Sequence, residues 1–115
     1  MTNSELIYPQ RNLIKLAENI CNAIFEKYSV EKLMNFVKKN RVNPLYIKVS
    51  REDPSSVKLI VDKDGKFKYN SNEPLVIPIP KKFAILEPDR QYFEMTLRAN
   101  VFLAVFKANE RELHK

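Results

Sequence analysis

The residues of this 115-residue chain that could do chemistry are few and scattered. Its one histidine, His114, is the penultimate residue, which removes histidine-based catalysis and histidine-rich zinc sites from consideration. Its one cysteine, Cys21, falls on the apolar flank of a helical pattern. It therefore reads as a small buried hydrophobe, because a reactive thiol needs an exposed, electropositive setting. A single glycine, Gly65, excludes the glycine-rich loops that cradle phosphate groups. Asp62-Lys63-Asp64-Gly65 superficially resembles the start of a calcium loop, but the glycine stands fourth where that loop requires it sixth. Asp64-Gly65-Lys66, with Asp53 upstream, fits the loose acid-x-lysine pattern of metal-dependent nucleases. Such a site needs both carboxylates and the lysine to converge on one cation, and a hairpin tip is badly placed for that. The sequence thus assigns no catalytic residue, no metal ligand, no cofactor and no small-molecule ligand, and it points to a non-enzymatic protein.

What remains is charge. The 20 Lys and Arg outnumber the 14 Asp and Glu, for a net charge of +6, and the isoelectric point is about 9.5. That balance favours acidic partners such as nucleic acid. Tyr46, Lys48, Lys58, Ile60, Lys66 and Lys68 occupy alternate positions of strand-like segments, so they should share one solvent-facing side of a sheet. Lysines neutralise phosphates and an exposed tyrosine offers a stacking surface, a combination suited to single-stranded nucleic acid. Lys38, Lys39, Arg41, Lys81 and Lys82 would extend the field. The ordinary alternative is a solvated sheet face on which lysines discourage edge pairing.

The elements that must position these residues follow from periodicity. Residues 1–8 read as a flexible lead-in, with Leu6, Ile7 and Tyr8 able to pack as an arm. Pro9 opens an amphipathic helix running to about Tyr28, its buried stripe formed by Leu13, Ala17, Ile20, Ile24 and Tyr28. Ser29 is placed to cap a second helix, with Val30, Leu33, Met34 and Val37 inward. Lys38-Lys39 suits the negative end of its dipole, and Asn40 suits a left-handed cap. After Asn43-Pro44, Leu45–Val49 and Val57–Val61 alternate as strands. Asp62 to Lys66 predicts a hairpin with Gly65 at a positive φ, returning through Phe67 and Tyr69. Leu75–Pro80 is a further strand, which with two prolines should lie at an edge or end early.

From Phe93 to Val101 apolar and polar residues alternate strictly, the period of a strand. Glu87-Pro88-Asp89 nevertheless reads as a helix start, and about 25 residues without a turn signal are far too many for a strand. The predicted C-terminal helix carries one row through Phe93, Leu97, Val101, Ala104, Val105 and Ala108, and another through Met95, Ala99, Phe102, Phe106 and Leu113. The first row should face the domain's own core. Met95, Phe102, Phe106 and Leu113 would then form a homodimer interface. The chain is expected to be a single α+β domain: two N-terminal helices, an antiparallel three- or four-stranded meander, and a long C-terminal helix packed on one face of the sheet. A single cysteine, no membrane span and no secretory pattern in Met1–Glu5 lead to a cytoplasmic expectation. The first functional reading is a small nucleic-acid-binding protein; the second is an interaction or inhibitory module acting through the apolar C-terminal helix, and a metal-dependent nuclease is the third.

Overall fold

The computed structural model describes residues 10–50, 52–65, 74–81 and 90–113. Helix α1 spans Gln10–Lys27 and α2 spans Val30–Lys39. Along α1, Leu13, Ala17, Ile20, Cys21 and Ile24 are buried, an i, i+3/i+4 stripe turned to the core. Tyr28, just past its end, is only half-buried. The break before α2 is made by Ser29, whose backbone is extended and whose Oγ accepts the Lys32 N–H at 3.1 Å. That bond satisfies one of the free amides that every helix start leaves behind. The inward face of α2 is Val30, Leu33, Met34 and Val37, as its spacing predicts.

The end of α2 differs from the expected left-handed cap. Asn40 has φ −127°, and it closes the helix with its side chain, Nδ2 donating to the Phe36 carbonyl at 2.8 Å. Its own N–H donates to the Val37 carbonyl at 3.1 Å. Two terminal carbonyls are thereby satisfied without the cost of a positive φ.

Three antiparallel strands follow: β1 (Leu45–Ser50), β2 (Val57–Val61) and β3 (Pro74–Pro78). Their order across the sheet is β2-β1-β3, so β3 crosses to the far edge of β1 and a consecutive meander is not kept. As its prolines require, β3 lies at an edge in this arrangement. Asn100 covers part of that edge by donating Nδ2 to the Pro78 carbonyl at 2.9 Å. Within the sheet Ile47 stands between Leu59 and Ile77, and Val49 between Val57 and Leu75. These residues join the helices in one apolar cluster. Gly65 has φ +64° and its N–H approaches the Asp62 carbonyl, which is the positive-φ turn expected there. The return strand through Phe67 and Tyr69 lies outside the described residues, as does the lead-in 1–8, and a fourth strand is not shown.

Helix α3 spans Arg90–Leu113, so residues 93–101 are helical. Phe93, Leu97, Val101, Ala104 and Val105 are buried against the sheet and α1. Burying each of the larger side chains, Phe93, Leu97, Val101 and Val105, contributes roughly 1.5–3 kcal/mol relative to exposure, enough to fix which side of the helix faces in. All three helices feed the same cluster and cover one face of the sheet. The α+β architecture is therefore the expected one.

Candidate nucleic-acid interface

The outward face of the sheet is set by strand parity. With Leu45, Ile47 and Val49 buried, Tyr46, Lys48 and Ser50 project to the opposite side. The register places Lys48 directly opposite Lys58 on one side and Val76 on the other. Tyr46 stands between Ile60 and Pro78 in the same way. Both lysines are exposed, and among the described residues neither has a hydrogen bond, ion pair or ring contact. Like charges directly opposite on neighbouring strands destabilise a sheet, so this pair costs the folded protein free energy unless an anion lies between. Tyr46 and Ile60 are half-buried. The β3 side is closed at Val76, which is outward by register yet only 5% exposed and separate from the main core cluster. Sequence periodicity missed Val76 and Pro78 as members of this face, because it carries no information on which strand joins the free edge of β1.

The other expected cations divide. Lys66 and Lys68 lie outside the described residues. Lys39 and Arg41 are exposed and Lys38 half-buried, at the end of α2 and in the turn that leads to β1. Lys81 is engaged internally: its Nζ donates to the carbonyls of Arg41 at 3.3 Å and Asn43 at 3.2 Å, holding the turn that leads into β1. Lys82 is not described. The basic field that can be placed is thus the β1–β2 pair, with a second group of cations at the Leu45 end of the sheet.

Of the acid-x-lysine residues, the two aspartates can be placed, and they stand at opposite ends of β2. Asp53 sits in the β1–β2 turn, where its Oδ1 accepts from the N–H and Oγ of Ser55. Asp64 lies beyond the other end of β2, past Val61. Five strand residues separate the two ends, roughly 16 Å at the usual rise. Two carboxylates that far apart cannot share a cation at ~2 Å bond lengths. Cys21 is buried, and its thiol is pushed up by desolvation, partly offset by the Arg98 guanidinium beside it. It is a core side chain. Arg98 itself lies over the Phe25 ring, 4.7 Å from the centroid, which ties α3 to α1, and pairs with Glu94 one turn back on α3 at 3.3 Å.

On α3, Met95 is 56% exposed, while Phe102 and Phe106 are half-buried and pack against the core. Tyr92 and Leu103, absent from the row read in the sequence, are exposed beside them. The side chain of Leu113 lies outside the description. No helix among the described residues is long and apolar enough to cross a membrane.

The fold and this face define a small basic α+β protein whose sheet exposes Lys48 and Lys58 on the side away from the helices. The chain is 48% identical over 100 residues to a protein of Archaeoglobus fulgidus described as uncharacterized, covering 87% of this chain and 89% of the relative. It belongs to the same family as that archaeal protein. No family model matches the chain, and no solved structure matches it.

Proposed function

We propose that this protein binds nucleic acid, in single-stranded form, through the outward face of β1 and β2. The observation that carries the reading is the opposition of Lys48 and Lys58 beside Tyr46. Two uncompensated cations across a strand pair are unfavourable alone and favourable around a phosphate. An adjacent tyrosine adds a stacking platform, worth roughly 1–3 kcal/mol per base where stacking occurs. The net charge of +6 supports the reading by steering polyanions toward the molecule. A cytoplasmic setting belongs to it as well, supported by a lone buried cysteine in place of a disulfide framework.

The test is a salt titration with a fluorescent single-stranded oligonucleotide. Each phosphate contact contributes about 0.7 to the log–log slope, so Lys48→Gln with Lys58→Gln should lower it by about 1.4. Tyr46→Ala should weaken binding with the slope unchanged. A double-lysine variant with unaltered affinity and slope would remove this face as the site.

A further inference from the structure

The outward side of α3 is an uncharged seam. From Tyr92, the positions Met95, Ala99, Phe102 and Phe106 follow at alternating steps of three and four. This is the spacing of the contact line between two packed helices. It lies opposite the buried row of Phe93, Leu97 and Val101. In a chain with 30% charged residues, no charge enters the stripe between Tyr92 and Phe106, and Thr96 and Leu103 flank it. Tyr92, Met95 and Leu103 are 58%, 56% and 56% exposed, while Phe102 and Phe106 form its half-buried shoulder.

We propose that this seam is a twofold contact with a second copy of the chain, α3 packed antiparallel on α3 with Ala99 at the crossing. The seam is self-complementary about that residue. Met95 lies four positions before Ala99 and Leu103 four after; Tyr92 lies seven before and Phe106 seven after. A twofold rotation at Ala99 sets Met95 against the partner's Leu103 and Tyr92 against the partner's Phe106. The alanine allows the close approach, about 8 Å between axes, that a crossing of helices prefers. A partner of either charge would find no complementary charge here, whereas a second copy presents the same uncharged stripe. The area also suffices. Exposed parts of the three most open side chains amount to on the order of 300 Å², since a large side chain buries ~150–250 Å². With the remainder of the stripe, two copies would bury about 1,000 Å², the lower end for a specific interface. The charge of +6 on each copy opposes association at long range. Added salt should therefore strengthen the dimer, the opposite of its effect on nucleic-acid binding.

Light scattering at micromolar concentration should give about twice the 13.5 kDa chain mass, rising toward the full dimer with salt. Met95→Glu with Leu103→Glu should give a folded monomer with an unchanged circular dichroism spectrum, because both side chains are exposed, and with a melting temperature that no longer rises with protein concentration. Ala99→Cys should form a disulfide-linked dimer on mild oxidation, without competition from the buried Cys21. A 13.5 kDa species throughout overturns the proposal. So does a doubled mass that survives the double glutamate variant, which would assign the contact to another face. A dimer that fails to cross-link through Ala99→Cys rejects the crossing point.

Discussion

Replacing Lys58 with glutamate should make the protein more stable while weakening the proposed binding of nucleic acid. Lys48 and Lys58 are directly opposed on adjacent strands, with no compensating partner among the described residues. Cβ atoms of such a pair lie about 4.5–5.5 Å apart, and flexible stems let the ammonium groups relax to about 7 Å. Two unit charges at about 7 Å in water repel by about 0.6 kcal/mol. A Debye length of about 8 Å at physiological salt cuts this to roughly 0.25 kcal/mol. Charge reversal turns the repulsion into an attraction of similar size. The expected gain is about 0.5 kcal/mol at physiological salt and about 1 kcal/mol at about 10 mM salt. Lysine and glutamate are both mildly disfavoured in strands, so propensity cancels to first order. Urea unfolding at the two salt concentrations measures the gain as a shifted midpoint at constant m. In a Lys48→Gln background the gain should largely vanish, because the partner charge is gone. A gain that ignores salt, or persists in that background, would refute the cross-strand origin.

Gly65→Ala should cost about 1–2 kcal/mol, because φ is +64° while the added Cβ would meet nothing within 4 Å; Asn, which tolerates the left-handed region, should recover most of the loss in thermal melts. Ser29→Ala removes the oxygen that accepts the Lys32 amide and should destabilise by about 1 kcal/mol, with Ser29→Asp near neutral in the same denaturation assay. The raised pKa of Cys21 means that the unfolded thiol ionises first as pH rises. Its contribution is fully present below the unfolded value, about pH 8.5, and is lost above it as pH climbs through the folded value. Cys21→Ala should accordingly flatten the alkaline decline of stability measured between neutral pH and pH ~10, and an unchanged slope would show the thiol to be uninvolved.

Much of the fold was legible because local chemistry and burial agree. Ser29, the α2 stripe and the alternation of Leu45, Ile47 and Val49 each report one local rule, and the structure obeys all three. The C-terminal helix shows why periodicity alone misleads. A strict alternation through Phe93–Val101, wound at 3.6 residues per turn, puts Phe93, Leu97 and Val101 on one side and Met95 and Ala99 on the other. A helix with two apolar sides therefore mimics a strand in sequence, and only its length betrays it. Strand order was not legible, since no residue of Leu75–Pro78 announces that its partner is β1. Nor was the Asn40 cap, where a side-chain amide reaching the Phe36 carbonyl replaced the backbone solution. For the site, parity correctly grouped Tyr46, Lys48, Lys58 and Ile60, while Lys81 was diverted to the carbonyls of the α2–β1 turn. A lysine in sequence does not disclose whether it serves solvent or the fold.

The two proposed surfaces point in different directions, and that has a consequence for assembly. The three helices cover one face of the sheet, and the uncharged side of α3 is opposite the side that packs on it. A dimer built on α3 would place the two helix layers at its centre and the two lysine-bearing sheet faces on its outer sides. One short strand could then engage only one protomer, so binding should saturate at two oligonucleotides per dimer without competition between them. The Met95→Glu, Leu103→Glu variant should keep the wild-type affinity for a short oligonucleotide, because neither residue borders the sheet face. A long strand is different. Able to loop from one face to the other, it should gain affinity through the raised effective concentration of the second site. That gain should disappear in the monomeric variant while the short-strand affinity stays fixed. Comparing the two lengths in the two proteins by fluorescence anisotropy separates the surfaces: equal loss on both lengths would mean that the α3 seam and the binding face are one and the same.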